Sequence, residues 1–142
     1  MTEVREDWLK LTLEEALDPD LPICDPHHHL WYQSEHSYTL ENFLRDISGG
    51  HLITKTVFVE SRMMLRNHGT LDMKPVGETE YVQNLVSQSH HPGKTEVAAG
   101  IIGFADLTLG QAVAPVLEAH IAAGKGRFRG IRYTTAKDTR VH

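Results

Sequence analysis

Residues 22–33 read PICDPHHHLWYQ, in which a short apolar run leads into three consecutive histidines. Side chains two apart in a strand point to the same face, so His27 and His29 share a face and His28 points to the other. Pro26 has no amide hydrogen to give to a strand ladder, which predicts that the strand ends there. The histidines would then lie at the carboxyl end of a strand, where parallel sheets bind ligands.

Two imidazoles side by side supply half of a metal site. Zinc, iron, manganese and cobalt all accept neutral imidazole nitrogens, and a catalytic site needs further protein ligands and one open position. Asp25 precedes His27 by two residues, so we expect it on the same face, as a weak ligand or as a partner that orients an imidazole. Exposed or purely structural histidines are the alternative.

Four apolar runs alternate with three amphipathic segments along the chain. The runs predict strands at Leu21–Asp25, Thr54–Glu60, Val97–Asp106 and Arg127–Thr134. The segments between them predict helices at Thr39–Ile47, Gly77–His90 and Gln111–Ala123. Strands as continuously apolar as these are typical of a parallel sheet that is buried on both faces.

The β-α-β-α-β-α-β pattern indicates an α/β fold with right-handed crossovers. It fits either a small doubly wound sheet or the first four βα units of a TIM-type (β/α)₈ barrel. We assign residues 1–19 to an N-terminal extension and 20–142 to one barrel-type domain. The last residues, TTAKDTRVH, read as a loop after the fourth strand, so we expect a truncated barrel.

Composition narrows the classes of partner. The chain has 142 residues and a net charge of −5, and its Lys and Arg residues form no basic stripe, which argues against a nucleic-acid partner. No run approaches the length of a membrane span, and no leader-like segment opens the chain, so we expect a cytoplasmic protein that acts on a small molecule. A single cysteine, Cys24, excludes an intramolecular disulfide.

Other candidates follow the later strands. Glu60 ends the second strand and is either a polar site residue or a solvated strand end. Arg132 and Arg129 lie three apart in RFRGIRY, so at most one of them faces the site, and Arg132 is nearer the carboxyl end. Arg62 is a further candidate anion contact. The third predicted helix has one apolar stripe, formed by Val113, Val116, Leu117, His120 and Ile121. On such a stripe we expect His120 to be a hydrogen-bonded core or interface histidine.

The stretch PICDPHHHLW resembles the D-x-H-x-H signature that closes the first strand in the amidohydrolase superfamily, and in particular the amidohydrolase-related branch with its lactone hydrolases. TVFVES, MKPVGETEYV, AAGIIGFADL and GRFRGIRYT look like later segments of that branch in the same order. The likeness covers residues from about 20 to 135 and implies a (β/α)₈ barrel with its site at the carboxyl ends of the strands.

The resemblance implies that His27 and His29 bind a divalent metal, zinc or manganese, although some lactonases of the branch use these histidines and arginines on the substrate without a metal. The family completes its site with a histidine from the fifth strand and an aspartate from the eighth, which lie beyond this sequence. The implied activity is hydrolysis of a lactone or related ester or amide that bears a carboxylate, with Arg132 and Glu60 as catalytic candidates. Non-oxidative decarboxylation is one alternative, and a non-catalytic half-barrel that forms homo-oligomers or aggregates is another.

Overall fold

The computed structural model describes residues 5–12, 14–33, 37–88 and 95–134. Four strands form one sheet, and every neighbouring pair in it is parallel. They are β1 (Ile23–His28), β2 (Ile53–Val59), β3 (Glu96–Gly103) and β4 (Phe128–Ile131). The helices are α1 (Glu6–Leu9), α2 (Leu40–Asp46), α3 (Val76–Gln88) and α4 (Ala114–Gly124), and short 3₁₀ turns occupy Lys10–Thr12, Leu71–Met73 and Leu107–Val113.

The strands follow one another across the sheet in the order β1-β2-β3-β4. A doubly wound sheet reverses its strand order at a switch point. No such reversal occurs among the described strands, so the topology disfavours that alternative and is compatible with a half-barrel. The predicted α/β class and parallel sheet are confirmed.

One face of the sheet carries the helices and the main core. Apolar side chains from α2, α3 and the inner strands meet there: Leu30, Leu40, Phe43, Phe58, Val82, Val97, Ala98 and Ile101. A second cluster of Val76, Ala105 and Val116 joins α3 and α4 beside the end of β3. Burial of these side chains, at about 25 cal/mol per Å² of apolar surface, holds the helices against the sheet.

The prediction that the first strand ends at Pro26 is wrong, because β1 continues to His28. Two features let the strand accommodate the proline. β1 is an edge strand of the described sheet, and its register with β2 shifts between Asp25 and His28. Edge strands and register shifts of this kind are positions where a strand tolerates a proline.

The three predicted helices are present with different starting residues, and the predicted end of the second helix at His90 lies outside the described residues. Thr39 caps α2 in a capping box with Asn42, because each side chain bonds the backbone amide of the other residue. Val116 and His120 of the predicted stripe on α4 are buried, but Ile121 is 60% exposed, so its assignment to the core was wrong. A search for membrane-spanning helices in the described ranges finds none that is long and apolar enough.

Candidate active site

The carboxyl ends of three strands bring the predicted site residues to one edge of the sheet. His27 and His28 are the last residues of β1, and Glu60 directly follows β2. The amides of Glu60 and Arg132 continue the ladder past the strand ends, donating to the carbonyls of Ile102 at 2.8 Å and Gly103 at 2.9 Å. Parallel pairing therefore places residues far apart in sequence next to one another.

The imidazoles of His27 and His29 face each other across a short gap. Their Nε2 atoms lie 3.2 Å apart, and the ring centroids are 4.9 Å apart in an edge-to-face arrangement. His28 turns to the other face, where it stacks on Phe43 at 4.1 Å. Two nitrogens that bind one zinc ion at ~2.0–2.1 Å with near-tetrahedral angles lie about 3.3 Å apart, so the pair has the spacing of two ligands on one cation.

A carbonyl fixes the tautomer of one imidazole in this pair. Nδ1 of His29 lies 2.7 Å from the carbonyl oxygen of Val59, which can only accept, so Nδ1 carries the proton. In the neutral ring, Nε2 of His29 therefore presents its lone pair toward His27. This is the arrangement in which a backbone carbonyl prepares a histidine to bind metal.

Glu60 and Arg132 form an ion pair beside the histidines. Nε of Arg132 donates to Oε1 of Glu60 at 2.8 Å, and NH2 donates to the backbone carbonyl of the same residue at 2.6 Å. The side chain of Glu60 is only 3% exposed, and its second oxygen, Oε2, is buried without a hydrogen-bond partner among the described residues. NH1 of Arg132 lies 3.5 Å from Nε2 of His27.

Arg129 does not join this cluster. Its NH1 donates to the backbone carbonyls of Gly126 and Phe128, and its side chain is exposed. The structure thus brings Arg132, and not Arg129, to the histidine pair, as the position of Arg132 nearer the carboxyl end of β4 suggests.

Glu78 is a buried acid that the sequence did not single out. It lies in the first turn of α3, and its Oε1 accepts from the amide and hydroxyl of Ser61 and from the amide of Met63. Burial raises the pKa of Glu78 above its ordinary value, against the effect of these donors, and the charge of Glu60 adds to the rise. Glu78 thereby anchors the loop that leaves the end of β2. Its sequence signal is only that of an acid favoured in the first turn of a helix.

His28 is held on the helix side of β1 by a chain of hydrogen bonds. Its Nε2 lies 2.9 Å from the hydroxyl of Thr56, which also accepts from the amide of Ala98 at 2.9 Å. Nδ1 of His28 is buried without a partner among the described residues. Desolvation lowers the pKa of His28 from 6.5 to about 4, which keeps the ring neutral.

This buried histidine makes the stability of the fold dependent on pH. Between pH 6.5 and about 4 the unfolded chain binds a proton that folded His28 does not. The free energy of unfolding therefore falls as the pH falls, by up to about 1.4 kcal/mol per pH unit from this one group. We expect urea denaturation curves to show a shallower pH dependence for His28→Gln than for the unmodified chain. The exposed His51→Gln serves as the control, and a parallel fall for all three proteins would contradict the assignment.

Asp25 contacts the main chain rather than a ring. Its Oδ1 accepts from the amide of His27 at 3.0 Å, and within the described ranges no hydrogen bond joins it to an imidazole. The register shift between Asp25 and His28 breaks the simple alternation that would place Asp25 beside the ring of His27. The carboxylate lines a cleft of about 420 Å³ beside β1 and α2, which is also lined by His27, His28, His29, Tyr38 and Asp46.

Other candidate residues near the carboxyl ends of the strands contact aromatic rings. The guanidinium carbon of Arg62 lies 4.0 Å from the ring centroid of Phe104, and that ring stacks on Tyr133 at 5.6 Å. Arg62 is therefore placed on an aromatic face rather than against the histidines. His120 bonds Thr79 through Nδ1 at 2.8 Å and the carbonyl of Phe104 through Nε2 at 2.9 Å, which confirms it as a hydrogen-bonded core histidine.

Comparisons with protein-family models, with curated proteins and with solved structures found no match. Within the described part of the chain, no group of three or more His, Cys, Asp or Glu side chains is arranged to hold a metal ion. The described residues thus offer two imidazole ligands with the spacing of a metal pair.

Proposed function

We propose that this chain contributes the first-strand half of a metal-dependent hydrolase site of the amidohydrolase type. The substrate would be a lactone or a related ester or amide that bears a carboxylate. His27 and His29 would hold zinc or manganese, and a bound ion of this kind lowers the pKa of a water toward ~7 and polarises a carbonyl.

One observation carries the proposal. The Nε2 atoms of His27 and His29 lie 3.2 Å apart, and the carbonyl of Val59 holds the proton of His29 on Nδ1. Two imidazole lone pairs this close repel each other unless a proton or a cation lies between them. A divalent metal accepts both lone pairs. The D-x-H-x-H signature to which this stretch is similar uses the same two positions.

Arg132 supplies the substrate side of the proposed site. Two nitrogens of its guanidinium, Nε and NH2, donate to Glu60, and NH1 lies 3.5 Å from Nε2 of His27. A guanidinium edge fixed in this way can donate to a substrate carboxylate and hold the scissile carbonyl near the histidines. This arrangement favours a carboxylate-bearing substrate over a neutral one.

A catalytic zinc needs at least three protein ligands and an open position. Because the described residues supply two, the proposal requires further ligands and a general base from outside the described ranges or from another chain. The proposed site therefore takes its further ligands from residues outside the described ranges or from a second copy of the chain.

Hydrolysis tests the proposal directly. The 142-residue chain, loaded with one equivalent of zinc or manganese, is assayed on a carboxylate-bearing lactone and on the corresponding amide-capped lactone by pH-stat titration. We expect acid release that requires the metal, stops with a chelator and is at least about tenfold faster with the free carboxylate, the value of one good charge-assisted contact.

Other outcomes replace the proposal rather than refine it. Release of carbon dioxide from an aromatic or unsaturated acid, without lactone hydrolysis, would make the chain a decarboxylase of the same general type. Metal binding without turnover of any lactone, ester or amide would contradict the hydrolase function and favour a non-catalytic half-barrel.

A further inference from the structure

Nε2 of His27 has two neighbours, and hydrogen bonds to them require opposite protonation states of this nitrogen. NH1 of Arg132 lies 3.5 Å away and can only donate, so a hydrogen bond between them requires a lone pair on Nε2. Nε2 of His29 lies 3.2 Å away and presents a lone pair, so a hydrogen bond between the two rings requires a proton on Nε2 of His27. A neutral His27 cannot meet both demands, and a cation held by the two imidazoles would compete with Arg132 for the same lone pair.

Glu60 holds Arg132 at this position. Its side chain accepts a hydrogen bond from Nε, and its backbone carbonyl accepts one from NH2. Together these two bonds fix the plane of the guanidinium. The side chain of Glu60 is 3% exposed, whereas that of Arg132 is 39% exposed, so the buried acid is the fixed member of the pair. Oε1 of its carboxylate is committed to the arginine, and Oε2 is buried.

The negative charge of Glu60 also affects how strongly the His27–His29 pair binds a cation. An uncompensated guanidinium next to His27 would repel a divalent cation, and the Glu60 carboxylate, 2.8 Å from Nε of Arg132, offsets that charge.

We propose that Glu60 is a positioning residue, not a general acid or base, and that its ion pair with Arg132 sets the cation affinity of the His27–His29 pair. The proposal deepens the proposed function and rests on its metal pair. Loss of the carboxylate frees an uncompensated arginine to hold the lone pair of His27. Loss of the arginine removes both the competitor and its charge.

Zinc affinity measures the effect without reference to turnover. The dissociation constant of Zn²⁺ is determined for the full chain by competition with a chromophoric chelator, using Glu60→Gln, Arg132→Gln and the double variant. Arg129→Gln is the matched control, because that arginine lies in β4, three residues before Arg132, and among the described residues its hydrogen bonds go to backbone carbonyls. Urea denaturation of each variant reports whether it is folded.

We expect Glu60→Gln to weaken zinc binding by about tenfold or more, as loss of partners around metal ligands commonly does. Arg132→Gln should tighten binding, and the double variant should return to within about threefold of the unmodified chain, because the two changes cancel in charge. General loosening of the structure would instead weaken binding in every variant, so opposite signs separate positioning from a purely structural role.

Three results would overturn or separate the two proposals. An unchanged affinity in Glu60→Gln, or weaker binding in Arg132→Gln, overturns the role of the ion pair while zinc bound by the histidines leaves the metal site standing. The expected pattern without any lactone hydrolysis supports the ion pair and contradicts the hydrolase function. Failure of the unmodified chain to bind zinc overturns both.

Discussion

Replacing both His27 and His29 by alanine is expected to abolish binding of zinc or manganese to this chain. The two Nε2 atoms form the only imidazole pair with ligand spacing in the described ranges, so their loss leaves no half-site. Metal-dependent lactone hydrolysis should fall by more than about 10³-fold, since both water activation and carbonyl polarisation depend on the ion. Elemental analysis after desalting gives the metal content per chain, and initial rates give the activity.

A matched control uses two other histidines. His51 and His68 are exposed, so His51→Ala, His68→Ala removes the same number of imidazoles without touching the pair. Its metal content should equal that of the unmodified chain. Near-stoichiometric metal that survives in the His27→Ala, His29→Ala chain would show that the ion binds elsewhere and would contradict the assignment.

Phe58→Ala is expected to have the largest effect on stability. The ring of Phe58 is fully buried in the core between the sheet and its helices, and it contacts the ring of His28 edge-on at 5.9 Å. Truncation removes most of this side chain and leaves a cavity, which costs about 3–5 kcal/mol in free energy of unfolding. Urea denaturation monitored by circular dichroism measures the loss.

The exposed Tyr32→Ala, 64% exposed, removes a ring of similar size and should change the free energy of unfolding by no more than about 0.5 kcal/mol. A loss below about 1 kcal/mol for Phe58→Ala would mean that the helix-side cluster is not the main core. Because Phe58 follows Val57 and precedes Val59 in β2, its loss should also loosen the carbonyl that fixes His29.

Local rules predicted much of the fold. The capping box of Thr39 and Asn42 depends on neighbours three residues apart, so the sequence alone was enough to place the start of α2. The order of strands and helices followed from apolar runs in the same way. Pro26 was misread because its effect depends on whether a strand lies at an edge, and Ile121 because its helical periodicity does not say how wide a face the sheet covers.

The parts of the candidate site that depend on the alternation of side chains along one strand could be predicted from the sequence. The parts that depend on contacts between distant segments could not. His27 and His29 share a face as the i, i+2 rule requires, and Arg132 lies near the carboxyl end as its position suggested. The contact of Arg132 with Glu60 joins residues 72 apart in sequence, and no local pattern specifies it. Glu78 was missed for the same reason, since its burial depends on a loop that folds over the start of α3.

X-ray absorption spectroscopy of the zinc-loaded chain determines whether His27 and His29 bind the ion. We expect a first shell that contains two imidazole nitrogens at ~2.0–2.1 Å, with the outer-ring scattering typical of histidine, and loss of that scattering in the His27→Ala, His29→Ala chain. A shell of oxygen atoms alone, or a sulfur ligand at ~2.3 Å from Cys24, would contradict it.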